Sequence, residues 1–107
     1  MSVINVRKAN LIKLGYKDFQ DWVKDPNNIY IGRALVYVGA KQSKWHNPFN
    51  VKKYGRDECL RLYEAHLRDS GLINEIEELR GKNLGCWCVP ERCHGDILLD
   101  ALKKSML

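Results

Sequence analysis

The chain has 107 residues, 45% of them hydrophobic and 29% charged, with a formal net charge of +5. That length supplies one core, burying roughly two-thirds of the surface an unfolded chain exposes, and the composition excludes a disordered or fibrous protein. No apolar run approaches the ~20 residues that cross a bilayer, and "MSVINVRKAN" has no long apolar stretch with a small-residue cleavage site, so a single cytoplasmic domain that does not enter a membrane is expected.

In chain order, "SVINVRK" carries Val3, Ile4 and Val6 and reads as a first strand ending near Arg7. "DFQDWVK", from Asp18 to Lys24, reads as a short helix with Phe19, Trp22 and Val23 on one side, stopped by Pro26 in the turn "PNN". "IYIGR" is a second strand closed by Gly32, and "ALVYVG" is either its continuation past a bend or a hairpin partner. Residues 39–55, containing "KQSKWHNPFNVKKYG", have no period and read as an ordered loop, long enough to expect a function for it.

From Asp57 the pattern becomes helical, with Cys59, Leu60, Tyr63 and Leu67 at three- and four-residue spacing until "SG". "LINEIEELR" places Leu72, Ile73, Ile76 and Leu79 on one face of a second helix, followed by Gly81. "KNLGCWC" is a short buried strand, and "DILLDALKK" a last helix. Strands alternating with helices predict an α/β fold: a small single domain over residues 1–107 with a mixed, mainly parallel sheet flanked by helices.

Open parallel sheets bind ligands beyond the carboxyl ends of their strands. Arg7 ends the first strand, Arg33 follows the second and Cys88 ends the third, just before a helix N-terminus with unpaired amides. With Lys44 these residues predict a pocket for a phosphate or carboxylate, whereas each taken singly is an ordinary surface charge. In "SKWHNPF", Trp45 and Asn47 beside Lys44 suit stacking on a base and hydrogen bonding its edge; equally, Trp45 and Phe49 could pin the loop to the core.

"GCWCVPERCHGD" packs three cysteines and a histidine into the nine residues from Cys86 to His94. A thiol in the first turn of a helix is stabilised as thiolate, so Cys93 is a candidate nucleophile, His94 its proton carrier and Asp96 the group that orients the histidine or caps the helix. The same positions prolong the helix's apolar face, which is the packing alternative. Zinc is the third: Cys86, Cys88, Cys93 and His94 have the right chemistry, but C-x-C-x₄-C-H is not the usual C-x₂-C spacing, and no metal or other cofactor is expected as the first choice. Cys86 and Cys88 on a strand would point the same way ~6.6 Å apart, near the limit for a disulfide, with Trp87 on the opposite face.

"YIGR", "SKWHNPF", "LRGKNLGCWC" and "PERCHGDIL", in that order, resemble the family called domain of unknown function 4326, over roughly Val3 to Leu102. The matching residues are Gly32, Arg33, Trp45, Asn47, Pro48, Phe49, Arg80, Gly81, Lys82, Cys86, Trp87, Cys88, Pro90, Cys93, His94, Gly95 and Asp96. The resemblance implies a small stand-alone α/β domain of bacterial and viral proteins, in the host cytoplasm if viral, and implies no activity. The expected partner is a small anionic ligand or a nucleotide or nucleic-acid derivative. The alternatives are a non-catalytic binding module with a structural Cys-His cluster, and a basic nucleic-acid-binding protein. Neither enzymatic activity nor oligomeric state is readable from the residues.

Overall fold

The computed structural model describes residues 2–89 and 91–104; of the family-pattern residues, Pro90 lies outside them. The sheet has three strands in the order β1-β3-β2: β1 is Val3–Asn5, β2 Asn28–Tyr30 and β3 Asn83–Cys86. Both outer strands pair parallel with β3, in registers that set Asn5 opposite Cys86 and Tyr30 opposite Gly85. The carboxyl ends of all three therefore meet at one edge, as the alternation of strands and helices predicted.

Two layers cover the sheet. On one side lie α1 (Lys8–Lys13) and α2 (Phe19–Lys24), with Leu11, Phe19 and Trp22 buried against Val6 and Tyr30. The Asp18 carboxylate caps α2 by accepting the Asp21 N–H at 2.9 Å. Phe19 and Trp22 face inward as expected, whereas Val23 is exposed. Helix α1 was not foreseen, and "ALVYVG" is neither a continued strand nor a hairpin partner. It is a single 3₁₀ turn, Val36–Val38, closed by one antiparallel bridge between Leu35 and Ala40.

The other face carries a four-residue helix α3 (Val51–Tyr54), then α4 (Arg56–Asp69), a 3₁₀ segment (Leu72–Leu79) and α5 (His94–Lys104). The sequence predicted a helix at Leu72–Leu79, and its tighter winding has a readable cause. Ile73, Ile76 and Leu79 recur every third residue, a spacing that three residues per turn superposes on one line where an α-helix would spread it over a wider face, and they pack into the main core. Trp45, Tyr63, Leu67, Leu84 and Leu98 complete that core.

Two glycines set how closely the layers approach. A Cβ on Gly95 would come within 2.8 Å of Val3 and 3.0 Å of Ile31, so its absence lets the first turn of α5 lie directly on the sheet. A Cβ on Gly85, in the central strand, would meet Val6 at 2.7 Å and the Trp22 ring closer still.

Candidate functional site

A cleft of about 1130 Å³ lies at the carboxyl edge of the sheet. Arg7 enters it from the end of β1, Gly32 and Arg33 from the end of β2, and Cys86, Trp87 and Cys88 from β3. Phe19, Tyr37, Asn47, Phe49, Arg56 and His94 also line it. Of the described lining residues five are basic, Arg7, Lys8, Arg33, Lys52 and Arg56, against one carboxylate, Asp18; Arg56 is already engaged, its Nε 3.4 Å from Glu91 and its Nη1 donating to the Arg92 carbonyl at 2.7 Å.

Strand β3 ends at Cys86, two residues short of the expected Cys88, yet Trp87 still falls on the opposite side of the sheet from Cys86 and Cys88, as expected. Trp87 packs beside α2, its ring stacked on Phe19 at 6.4 Å and its Nε1–H donated to the Tyr30 hydroxyl at 2.8 Å. Tyr30 in turn donates to the Arg33 carbonyl at 2.6 Å, which ties the turn after β2 to the cleft floor. Cys86 and Cys88 belong to the opposite core.

Three sulfurs gather there. Cys86 and Cys93 are buried, with Sγ atoms 3.1 Å apart, and the Cys88 N–H donates to Cys86 Sγ at 3.3 Å. Cys88 is the half-buried thiol of the three. A hydrogen bond from the Cys86 thiol holds the Cys88 thiol down at about 6, against the opposing effect of burial and with help from the Arg56 guanidinium. Sharing its proton with both flanking sulfurs, and burial, push Cys86 far up, while the hydrogen bond from Cys86 brings Cys93 down.

Cys93 and Asp96 are occupied in starting α5. Cys93 Sγ accepts the Gly95 N–H at 3.3 Å, and Asp96 Oδ2 accepts the Cys93 N–H at 2.9 Å, so a sulfur and a carboxylate together cap the first turn. Of the two roles expected for Asp96, the structure places it in the cap. His94 is buried, its ring edge-on to Tyr63 at 5.1 Å and its Nε2 2.7 Å from the Ile31 carbonyl oxygen. A carbonyl accepts only, so Nε2 carries the proton, and burial holds the ring neutral by lowering its pKa.

The four zinc candidates show no tetrahedral arrangement among the described residues. Two thiolates on one tetrahedral zinc stand about 3.8 Å apart, which the Cys86–Cys93 pair does not match, and His94 Nε2 is turned onto a carbonyl. Among the described residues no group of three or more His, Cys, Asp or Glu side chains is arranged to hold a metal.

The expected ligand residues separate. Arg7, Arg33, Asn47 and Cys88 line the cleft. Arg33 is partly committed, its Nε and Nη2 donating to the Asn47 carbonyl at 3.0 and 2.8 Å and Nη2 also to the Phe49 carbonyl at 3.0 Å, so it fastens the loop to the end of β2. Lys44 and Trp45 do not line it. Lys44 Nζ is 2.9 Å from both Glu75 and Glu78, and buried Trp45 donates its Nε1–H to Glu78 at 2.9 Å. The packing alternative for Trp45 is the one realised, because Glu78 supplies a buried indole with its acceptor. Arg56, Lys52, Tyr37 and Phe19 were missed, since they reach the cleft from four separate elements and no local spacing links them.

Residues 15–104 match the family described as "Domain of unknown function (DUF4326)". The chain is 37% identical over 87 residues to "Uncharacterized protein R718" of Acanthamoeba polyphaga mimivirus, covering 71% of this chain and 67% of that protein. It is 36% identical over 59 residues to "Uncharacterized 12.4 kDa protein in nrdA-td intergenic region" of Enterobacteria phage T4, covering 50% of this chain and 55% of that protein. No solved structure matches.

Proposed function

The chain belongs to the DUF4326 family, and we propose that its cleft binds a planar anionic ligand of the nucleotide class. The observation that carries this reading is the excess of cations over carboxylates among the described lining residues, Arg7, Lys8 and Lys52 standing beside Arg33 and Arg56 that are already bonded within the protein, around a cleft also lined by Tyr37, Phe49 and Trp87. Cations attract a phosphate and aromatic faces accept a base, and parallel strands commonly deliver ligands to this edge. The nucleotide is held, in this reading, between Arg7 with Lys52 and the rings; Arg33 shapes the loop, and Cys93, His94 and Asp96 fix α5 in place.

The test is thermal denaturation and calorimetry with nucleoside monophosphates, the corresponding nucleosides, inorganic phosphate and a short single-stranded oligonucleotide. A monophosphate at a hundredfold its Kd stabilises by about 2.7 kcal/mol. Nucleosides and phosphate alone are expected to stabilise far less, and Arg7→Ala to weaken the monophosphate without lowering Tm. An oligonucleotide that binds while monophosphates do not, with affinity falling steeply in salt, would transfer the reading to nucleic acid. If none of the four binds, the cleft is not an anion site.

A further inference from the structure

The sulfur cluster contains more chemistry than the cleft's ligand binding uses. Cys86 and Cys93 are two buried thiols at 3.1 Å, and each could be inert packing by itself. What changes the reading is a third cysteine, half-buried on the cleft wall with Arg56, whose backbone N–H donates to the same Cys86 Sγ at 3.3 Å. We propose that Cys88, Cys86 and Cys93 form a thiol–disulfide exchange site in which Cys88 attacks a small disulfide in the cleft and the Cys86–Cys93 pair supplies the electrons.

The order of the sulfurs gives the order of the steps. The Cys88 thiolate attacks one sulfur of R–S–S–R; a Cys88–S–S–R bond forms, the substrate bond breaks, and the first RS⁻ leaves and takes a proton from water. As Cys86 passes its proton to the departing sulfur, its Sγ attacks Cys88 Sγ as the thiolate, and the second RS group leaves as RSH. The resulting Cys86–Cys88 bridge joins positions two residues apart, ~6.6 Å by Cα in extended chain, where bridges are strained and readily broken. Cys93 Sγ, already 3.1 Å from Cys86 Sγ, displaces Cys88 as a thiolate and gives its own proton to water, replacing the one used in the first step. In sum, one disulfide becomes two thiols, and two thiols of the chain become a Cys86–Cys93 disulfide.

The exchange itself is independent of nucleotide binding. A preference for disulfides bearing carboxylates, such as oxidised glutathione, rests on the cleft's basic lining and so on the function proposed above. The neutral hydroxyethyl disulfide separates the two ideas.

The whole chain, fully reduced, is mixed with each disulfide, quenched by alkylation and mapped by peptide mass spectrometry. The expected product has a Cys86–Cys93 bond, two released thiols per chain and Cys59 unchanged. Cys86→Ser is expected to stop at the mixed disulfide on Cys88, and Cys88→Ser to slow the reaction about tenfold or more. The wild-type chain gives a measure that needs no variant to fold. Weighing thiolate fraction against the lower nucleophilicity of a low-pKa thiol, Cys88 should react with disulfide about tenfold faster than free cysteine near pH 6. Modification of Cys59 first, or a mixed disulfide on wild-type Cys88 that never yields the Cys86–Cys93 bond, overturns the exchange site, even where monophosphates bind. Equal rates with glutathione disulfide and the neutral disulfide keep the exchange and remove the anion preference.

Discussion

At Lys44 and Trp45 an ammonium lies over an indole, 5.5 Å from the ring centroid, and both groups end on the carboxylate of Glu78. At the cleft, Tyr37, Phe49 and Trp87 stand among Arg7, Lys8 and Lys52, with Asp18 as the one carboxylate among the described lining residues. The two regions have similar composition and opposite uses. Where a carboxylate neutralises the cation and the ring is buried, the pair is a strut joining the loop to the 3₁₀ segment. Where cations outnumber carboxylates and the rings border a cavity, the proposed function assigns the charge and the stacking surface to a ligand.

The largest expected effect tests the strut. Trp45 is buried and also lends its carbonyl to the Tyr63 hydroxyl at 2.6 Å. Trp45→Ala should therefore cost about 3–5 kcal/mol in denaturant unfolding, while the protein that remains folded keeps its affinity for the cleft ligand. Lost affinity at unchanged stability would place Trp45 in the binding site and end the comparison.

Acid should separate the regions next. Burial lowers the His94 pKa, so the unfolded chain binds a proton more readily than the folded one between the folded value and about 6.5. The stability that neutral His94 contributes is complete above that window and is lost as pH falls through it. Tm should drop on acidification below about 6.5, and His94→Gln should flatten that part of the profile. An unchanged slope in the variant would mean that His94 is not the group that titrates.

At the start of α5 a smaller loss is expected. Asp96→Ala removes the acceptor of the Cys93 N–H and should cost about 1 kcal/mol, as other cap deletions do. Asp96→Asn keeps an acceptor and should recover most of the loss. If instead Asp96→Ala leaves stability intact and abolishes turnover of an identified substrate, Asp96 belongs to the chemistry and not to the cap.

Much of the cleft's location was legible because it depends on topology. The strands at Val3–Asn5, Asn28–Tyr30 and Asn83–Cys86 show in their apolar runs, and parallel pairing then forces Arg7, Arg33 and Cys88 to one edge. Alternation also gave the opposite orientations of Trp87 and the two thiols. Side-chain partners were not legible, because they are distant in sequence. Lys44 and Trp45 meet Glu75 and Glu78 across a whole helix, and Arg33 meets carbonyl groups whose direction the loop backbone decides. Helix α1 escaped because Leu11 is its one buried residue, with Ile12 exposed, so it has no apolar face to read. For His94 the sequence left a proton carrier and a packed histidine bonded to a carbonyl both open, because nothing local reveals that the Ile31 carbonyl, just past the end of β2, meets its Nε2.

The smallest effect is the sharpest test of the comparison, because it removes charge from the strut and leaves the ring. Lys44 and its two glutamates are roughly half exposed, with side-chain exposures of 44%, 53% and 45%, and exposed ion pairs contribute about 0–1 kcal/mol. Lys44→Met should therefore cost less than about 1 kcal/mol at pH 7 and low salt, and less again in high salt. Its pH dependence identifies the cause. Hydrogen bonding to Lys44 lowers the Glu78 pKa, so the ion pair's contribution is present above the carboxylate's unfolded value and fades as pH falls through the folded one. The difference in Tm between Lys44→Met and wild type should accordingly disappear in acid, while the Trp45 hydrogen bond to Glu78 keeps the loop docked at neutral pH. Monophosphate affinity should be unchanged throughout. A tenfold loss of affinity in Lys44→Met would show that this ammonium contributes to the cleft's field, and the strut and the cleft would have to be treated as one electrostatic unit.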